Sequence, residues 1–269
     1  MELERKYADG KTIHNTLQTN GTLITPEWAD FFRENDFLIG ISIDGPQDIH
    51  DRYRKDKGGH PTFEKVIAGL AALQRAGVEF NTMSTVNRFS EGRGLEVYQF
   101  LKGLGSRFIQ FSPVVEHVIY PMKNGRPVKS LRPHIVDPSE PGSMLAPWSV
   151  SAVGFGRFLC DIFDCWVKND VGSVFVNFFD CTLANWCGAM PGTCSFAETC
   201  GGNAVVEHNG DVYCCDHFVY PKYRLGNIFE DSLSAMMSSP VQVKFGIDKR
   251  NSLPRKCLRC EWFQQCHGG

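Results

Sequence analysis

Residues 37–45 read FLIGISIDG, an apolar run that ends in polar residues, and residues 62–77 read TFEKVIAGLAALQRAG. The second stretch is an amphipathic helix: Phe63, Val66, Ile67, Leu70 and Leu73 recur at i, i+3, i+4, i+7 spacing and form one apolar face, and Gly77 closes it. Together the two make a strand followed by a helix. Units of the same kind lie on either side. Upstream, KTIHNTLQTNG (11–21) leads into PEWADFFREN (26–35), where Thr25 can cap the helix and Pro26 suits its first turn. Downstream, EFNTMSTVNR (79–88), GRGLEVYQFLKGLGS (92–106), RFIQFSPVVE (107–116) and VGFGRFLCDIFDCWVKND (153–170) repeat the alternation twice more. Four such units predict an α/β fold with a parallel sheet and helical crossovers.

In such sheets the reactive end is the carboxyl end of the strands. Polar residues gather there: Gln18, Thr19 and Asn20 end the first strand, Ser42 and Asp44 the second, Thr85 and Asn87 the third, and Gln110 and Ser112 the fourth. For any one of them a strand running into a polar loop is explanation enough, and Asp44-Gly45-Pro46 most simply makes a turn. The coincidence over four strands points to a site. Four strands do not close a barrel of the usual size, so the sheet is either open or has further strands upstream. Residues 121–148, rich in Pro, Gly and Ser, are expected to form one long loop.

Composition narrows the function classes. A net charge of -2 gives no electrostatic reason to expect nucleic acid. The charged start MELERKYADGK has no signal-peptide character, and no stretch approaches the roughly 20 apolar residues of a membrane span, so a cytoplasmic protein is expected. Eleven cysteines in that compartment suit metal or catalytic use better than disulfides. None precedes Cys160, and seven fall between Cys194 and Cys266. This step in composition predicts a cysteine-free first domain, residues 1–170, and a metal-organised second, residues 171–269.

In the second domain NAVVEHNGDVYCCDHF (203–218) reads as two strands about a two-residue Asn209-Gly210 turn, and DSLSAMMSSPVQVKFG (231–246) as a helix interrupted by Pro240. Such small elements need a staple, and metal is the available one. Cys257-x2-Cys260 alone would suit zinc. Cys194-x5-Cys200, then Cys215, then Cys257-x2-Cys260-x5-Cys266 make six thiols, more than one zinc needs, whereas iron-sulfur clusters take thiolates in fours. Cys160, Cys165, Cys181 and Cys187 are expected to pack as small hydrophobes, and His208 and His217 to lie on the surface.

Cys194-x5-Cys200, EHNGDVYCCDHFVYPKYRLGNI (207–228) and CLRCEWFQQCHGG (257–269) resemble the SPASM cluster domain of radical S-adenosylmethionine (SAM) enzymes. LQTNGTLIT (17–25), GISIDGPQDIHDRYR (40–54) and FIQFSPVVE (108–116) are similar to anaerobic sulfatase-maturating enzymes, which convert a sulfatase cysteine or serine to formylglycine. The resemblance covers essentially the whole chain. It implies a partial (β/α)6 TIM-like radical SAM barrel lacking its first strands, followed by a small cysteine-rich SPASM domain.

The resemblance also implies ligands. Cys194, Cys200 and Cys215 would hold one auxiliary [4Fe-4S] cluster with a cysteine beyond Gly269, and Cys257, Cys260 and Cys266 a second with another beyond the end. Cys215 is preferred to Cys214 on family spacing, since neighbouring residues of a strand point to opposite sides. Ser42 and Arg54 match positions that contact SAM, and Val115 a backbone or packing contact to it. Asp216 matches a proton acceptor for the substrate thiol or hydroxyl. The family's CxxxCxxC and Gly-Gly-Glu-Pro segments do not occur in this sequence. By resemblance, then, the chain is a maturase fragment, truncated at both ends and inactive alone. The intact enzyme would make a 5′-deoxyadenosyl radical that takes a Cβ hydrogen from a sulfatase polypeptide, with electrons from a flavodoxin- or ferredoxin-type donor. No nucleic-acid or membrane partner is expected. The alternatives are another SPASM peptide modifier, such as a thioether-forming one, a non-catalytic peptide-binding module, and a zinc-stapled domain.

Overall fold

The computed structural model describes every residue except 1, 124, 125, 130 and 269. The chain divides into two compact units, Met1–Asn177 and Phe178–Gly269.

The first unit opens with helix α1 (Glu2–Tyr7), then runs β1 (Thr16–Thr19), α2 (Pro26–Glu34), β2 (Leu38–Ser42), α3 (Gln47–Tyr53), α4 (Phe63–Ala76), β3 (Phe80–Val86), α5 (Gly94–Gly103) and β4 (Phe108–Pro113). Local chemistry sets the helix ends. Thr25 accepts the Trp28 N–H and Pro26 stands at the first turn of α2. Gly77, at φ 71°, ends α4 in the left-handed conformation that glycine adopts without strain. At the other end of α4, Asp51 Oδ1 accepts the N–H groups of Thr62 and Phe63, both at 3.0 Å, in place of a local cap.

Among the described residues, five strands form one sheet in the order β1-β2-β3-β4-β10, every neighbouring pair parallel. The fifth, β10 (Phe175–Val176), follows α6 (Ala152–Asn169) and joins the edge beside β4. It was not expected from the sequence, because two paired residues carry no period. Buried Ile39 and Ile41 of β2 alternate with Leu38, Gly40 and Ser42, the period of a strand with one face on the core. Val66, Leu70 and Leu73 of α4, Tyr98 and Leu101 of α5, and Phe158 and Ile162 of α6 complete that core. Each such side chain contributes about 1.5–3 kcal/mol by leaving water.

The stretch expected to be a single loop is partly structured. Strands β5 (His117–Ile119), β8 (His134–Val136) and β9 (Met144–Leu145) form a small antiparallel sheet in the order β8-β5-β9, and β6 (Met122–Lys123) pairs with β7 (Arg126–Pro127). Strands of two or three residues are too short to show alternation in sequence. Residues 124, 125 and 130 of this stretch lie outside the described residues.

The second unit contains α7 (Asn177–Trp186), a 3-10 turn at Cys194–Phe196, and strands β11 (Val205–Val206), β12 (Asp211–Tyr213) and β13 (Arg224–Asn227) in one antiparallel sheet. The turn between β11 and β12 is one residue longer than expected. Glu207 and Asp211 pair across it, Gly210 N–H bonds to Glu207 O, and Gly210 takes φ 87°. Helices α8 (Leu233–Met237), α9 (Pro240–Asn251), α10 (Arg255–Leu258) and α11 (Phe263–Cys266) follow. Pro240 does not interrupt a helix. Ser239 accepts the Gln242 N–H and Pro240 starts α9, where its missing N–H costs nothing.

Candidate functional site

The first unit places a hydrogen-bonded chain at the carboxyl ends of β1, β2 and β3. Asp44, only 2% exposed, accepts from Arg54 Nε at 2.7 Å and Nη2 at 2.9 Å, and from the Thr85 N–H at 2.8 Å. This is a bidentate, charge-assisted pair, the strongest hydrogen-bonding arrangement available to a carboxylate. The turn reading of Asp44 is therefore incomplete. Its side chain fixes the guanidinium and joins β2 to β3.

Behind it lies His50, fully buried in α3. Thr62 Oγ1 donates to Arg54 O at 2.8 Å, so its one proton is spent and the His50 Nε2 contact at 3.2 Å must be donated by the imidazole. His50 Nδ1 then accepts the Asp44 N–H at 3.4 Å. The Nδ1 contact requires the neutral ring, since both nitrogens of the imidazolium are donors, and burial, reinforced by Arg54, pushes the His50 pKa down against the opposing pull of Asp44. A histidine with a depressed pKa stabilises the fold fully above its unfolded value of about 6.5 and loses that contribution as pH falls toward the folded value. Urea midpoints measured from pH 7.5 downward should therefore hold until about pH 6.5 and then drop, with a slope approaching about 1.4 kcal/mol per pH unit that a His50→Gln variant lacks.

Ser42, at the end of β2, accepts from Gln18 Nε2 at 3.1 Å and is not bonded to Arg54. Val115 is exposed. Two of the guanidinium's five N–H groups go to Asp44, which leaves Nη1 for another acceptor.

The second unit arranges its cysteines around one face of α9. Gln242, Gly246 and Lys249 follow one another at i, i+4 and i+7. Gln242 donates through Nε2 to Gly201 O at 2.8 Å and Cys214 O at 3.2 Å, fixing the backbone beside Cys200 and Cys215. Gly246 O accepts the Cys200 N–H at 3.1 Å, and a Cβ on Gly246 would stand 2.2 Å from Cys200 O. Only glycine permits this approach. Lys249 Nζ donates to Ala197 O at 2.6 Å and His267 O at 3.0 Å.

Burial pushes the Cys200 thiol up, with Cys194 adding to it, and pushes Cys215 up to about 11, where the Asp216 carboxylate accepting from the thiol at 3.3 Å and the nearby Cys194 contribute. Burial pushes the Lys249 ammonium down, opposed by Cys200, Cys266 and Cys194. Thus Cys194 lies within electrostatic reach of both Cys200 and Cys215, and Lys249 within reach of Cys194, Cys200 and Cys266. Cys257 is half-buried and Cys260 exposed. Cys214 is buried, its thiol also pushed up by burial. Asp216 and His217 are exposed on the loop after β12, and His208 is exposed.

Among the described residues, no three His, Cys, Asp or Glu side chains meet closely enough to hold a single metal ion. A multi-iron cluster makes a different demand, since each thiolate binds its own iron and the sulfurs ring a volume rather than touch. An all-thiol donor set beside a cationic lysine fits such an anionic cluster. Of the cysteines expected to be packing residues, Cys181 is buried, whereas Cys160 and Cys187 are exposed: each sits on a solvent-facing position of its segment, which spacing along a helix did not reveal. Gln242 and Lys249 were missed, and Asp44, counted among the polar strand ends, was taken singly as a turn residue. Asp44 follows a strand as many turn residues do, and a lysine near a helix end ordinarily reads as a partner of the helix dipole.

Comparisons with known proteins bear on both units. Residues 1–101 match the radical SAM superfamily, and residues 194–261 an iron-sulfur cluster-binding domain, SPASM. The chain is 50% identical over 268 residues to a serine-type anaerobic sulfatase-maturating enzyme of Bacteroides thetaiotaomicron, covering 100% of this chain and 63% of that protein. It is 33% identical to a cysteine-type anaerobic sulfatase-maturating enzyme of Clostridium perfringens (strain 13 / Type A), covering 100% of this chain and 68% of the relative. A solved structure of native anSMEcpe with bound AdoMet and Kp18Cys peptide matches with a TM-score of 0.82 at 32% identity, over 100% of this chain and 69% of that one. The chain thus spans a little under two thirds of the Bacteroides relative's length.

Proposed function

Since this chain belongs to the anaerobic sulfatase-maturating enzyme family of radical SAM proteins, we propose that it serves the oxidation of a sulfatase cysteine or serine to formylglycine. The observation that carries the reading is the arrangement of Cys194, Cys200 and Cys215 against α9, whose side chains grip the backbone on both sides of the thiols. These three would bind one auxiliary cluster and Cys257, Cys260 and Cys266 a second. SAM, together with a reduced cluster whose CxxxCxxC ligands do not occur in this sequence, would supply the radical chemistry that removes a Cβ hydrogen atom from the substrate residue.

The chain's own residues bind and orient. Arg54, held by Asp44, offers Nη1 to the SAM carboxylate, a role for which a fixed guanidinium is suited. Ser42 supplies a hydroxyl at the adjoining strand end, and Val115 an exposed apolar contact. Asp216 accepts the proton of the substrate thiol or hydroxyl. Held as a thiolate by a cluster, Cys215 would have no proton to donate to Asp216, which would leave that carboxylate available for the task. The sulfatase polypeptide is the substrate, a flavodoxin- or ferredoxin-type protein the electron donor, and the cytoplasm the location. Among the described residues no helix is long and apolar enough to cross a membrane.

Anaerobic reconstitution with iron and sulfide tests the reading. Iron and acid-labile sulfide should appear together and fall together by about half with Cys200→Ser, which removes a ligand of one of the two clusters, whereas stoichiometric zinc without sulfide would overturn it. In a chimera that adds the remaining segments of the Bacteroides relative, Asp216→Asn should lower formylglycine formation by about 100-fold or more, with iron content unchanged.

A further inference from the structure

Two cysteine-bearing segments of the second unit, residues 194–200 and 257–267, are joined by side chains from two different helices. Asn185, in the last turn of α7, donates through its single amide nitrogen to Phe196 O at 2.9 Å and to Gln265 O at 3.0 Å. Lys249, in the last turn of α9, donates to Ala197 O at 2.6 Å and to His267 O at 3.0 Å. Each donor takes one carbonyl from each segment, and the carbonyls are close in sequence: the adjacent Phe196 and Ala197 on one side, Gln265 and His267, which flank Cys266, on the other. Both protons of the amide are spent, so a change in the separation of the segments must break a bond at Asn185.

Other features show that the segments are held and not merely adjacent. The Trp186 and Trp262 rings meet edge to face, with centroids 6.1 Å apart, beside the Asn185 clasp. His267, directly after Cys266, takes φ 48°, a left-handed conformation that residues other than glycine avoid, and its carbonyl is the one Lys249 holds. The carbonyls lie two residues after Cys194 (Phe196), three residues after it (Ala197), one before Cys266 (Gln265) and one after it (His267). A shift of either segment therefore reaches a thiol of the other set through short, stiff backbone.

We propose that Asn185 and Lys249 are positioning residues that couple the two cysteine sets, so that metal held by Cys257, Cys260 and Cys266 raises the affinity of Cys194, Cys200 and Cys215 for metal, and the reverse. The inference rests on the reading of both sets as metal sites and adds that they do not fill independently. Coupling of this kind is reciprocal by thermodynamic necessity.

Iron(II) with sulfide, added anaerobically, is the probe, since thiolate-to-iron charge-transfer absorption reports cluster assembly without any assay of turnover. In the unaltered chain, Cys257→Ser with Cys260→Ser should raise the iron concentration for half-maximal assembly at the remaining set by about tenfold, within the usual range of coupling between two sites. In an Asn185→Ala, Lys249→Met background the same pair of serine substitutions should change that concentration by less than about twofold. Lys249→Arg, which keeps a cationic donor, should retain part of the coupling and guards against a mere folding defect. An equal effect of the serine pair with and without the clasp overturns the proposal. Absence of cluster absorption in the unaltered chain overturns the metal reading itself, and that failure is visible before any clasp variant is made.

Discussion

Asp44→Asn lowers the stability of the first unit by about 3 kcal/mol, read as a fall in the urea midpoint at unchanged slope. The carboxylate is 2% exposed and accepts three hydrogen bonds, two of them from Arg54. Asparagine keeps one oxygen but sets an NH2 group against the guanidinium fork, donor facing donor, and removes the carboxylate charge paired with Arg54. Breaking a buried pair from one side costs about 3–5 kcal/mol, and the 24% exposure of the Arg54 side chain places the expected loss at the lower end because water can solvate part of the orphaned cation. Adding Arg54→Met should recover part of the loss, since the uncompensated cation goes with it. SAM binding by equilibrium dialysis should fall in Asp44→Asn although Asp44 itself is not expected to touch the ligand. A stability loss under about 1 kcal/mol would show that the pair does not anchor the strand ends.

Gly246→Ala should be the most damaging single methyl group in the second unit. Its Cβ would stand 2.2 Å from Cys200 O and 3.0 Å from Cys200 C, and both are backbone atoms that cannot rotate away. Either α9 or the Cys200 loop must move, and the Cys200 N–H to Gly246 O bond goes with it. Overpacking of this kind costs about 1–3 kcal/mol and the lost hydrogen bond about 1 more, offset by about 1 kcal/mol of better helix propensity, for a net loss of about 1–3 kcal/mol. Iron uptake should fall with it, because the displaced residue is a thiol donor in the proposed cluster. Gly156→Ala in α6 is the control: nothing lies within 4 Å of the added Cβ, so that variant should be neutral or slightly more stable. Equal iron content in both variants would remove Gly246 from the site.

What the sequence allowed one to read follows from how much chain each feature occupies. The α4 stripe from Phe63 to Leu73, the Thr25 cap and the Gly77 stop are local, repeated or chemically distinctive, and they suffice for four strand-helix units. The two-residue strand β10 and the small sheet of β5, β8 and β9 owe their pairing to partners distant in sequence, so no window of residues contains the signal. The same holds within the sites. Cysteine spacing marks the thiols, but Asn185 lies 80 residues from the carbonyl it holds at Gln265, and Asp44 lies 41 from the Thr85 amide. Support for a site is assembled by tertiary contact, while the reactive groups advertise themselves by type.

The side-chain grips of Asn185, Gln242 and Lys249 fall on main-chain oxygens: Gly201 and Cys214 for Gln242, Phe196 and Gln265 for Asn185, Ala197 and His267 for Lys249. None of these uses a sulfur atom; the thiol contact to α9 from Cys200 Sγ to Phe245 O, at 4.0 Å, is one that a hydroxyl can also donate. The scaffold and the chemistry are thus assigned to different atoms of the same residues, and exchanging a thiol for a hydroxyl leaves the framework's anchorage intact. The ordering of these loops, on the order of 1–2 kcal/mol for each residue fixed, is accordingly met when the polypeptide folds, so an arriving inorganic guest encounters a seat whose shape is already determined.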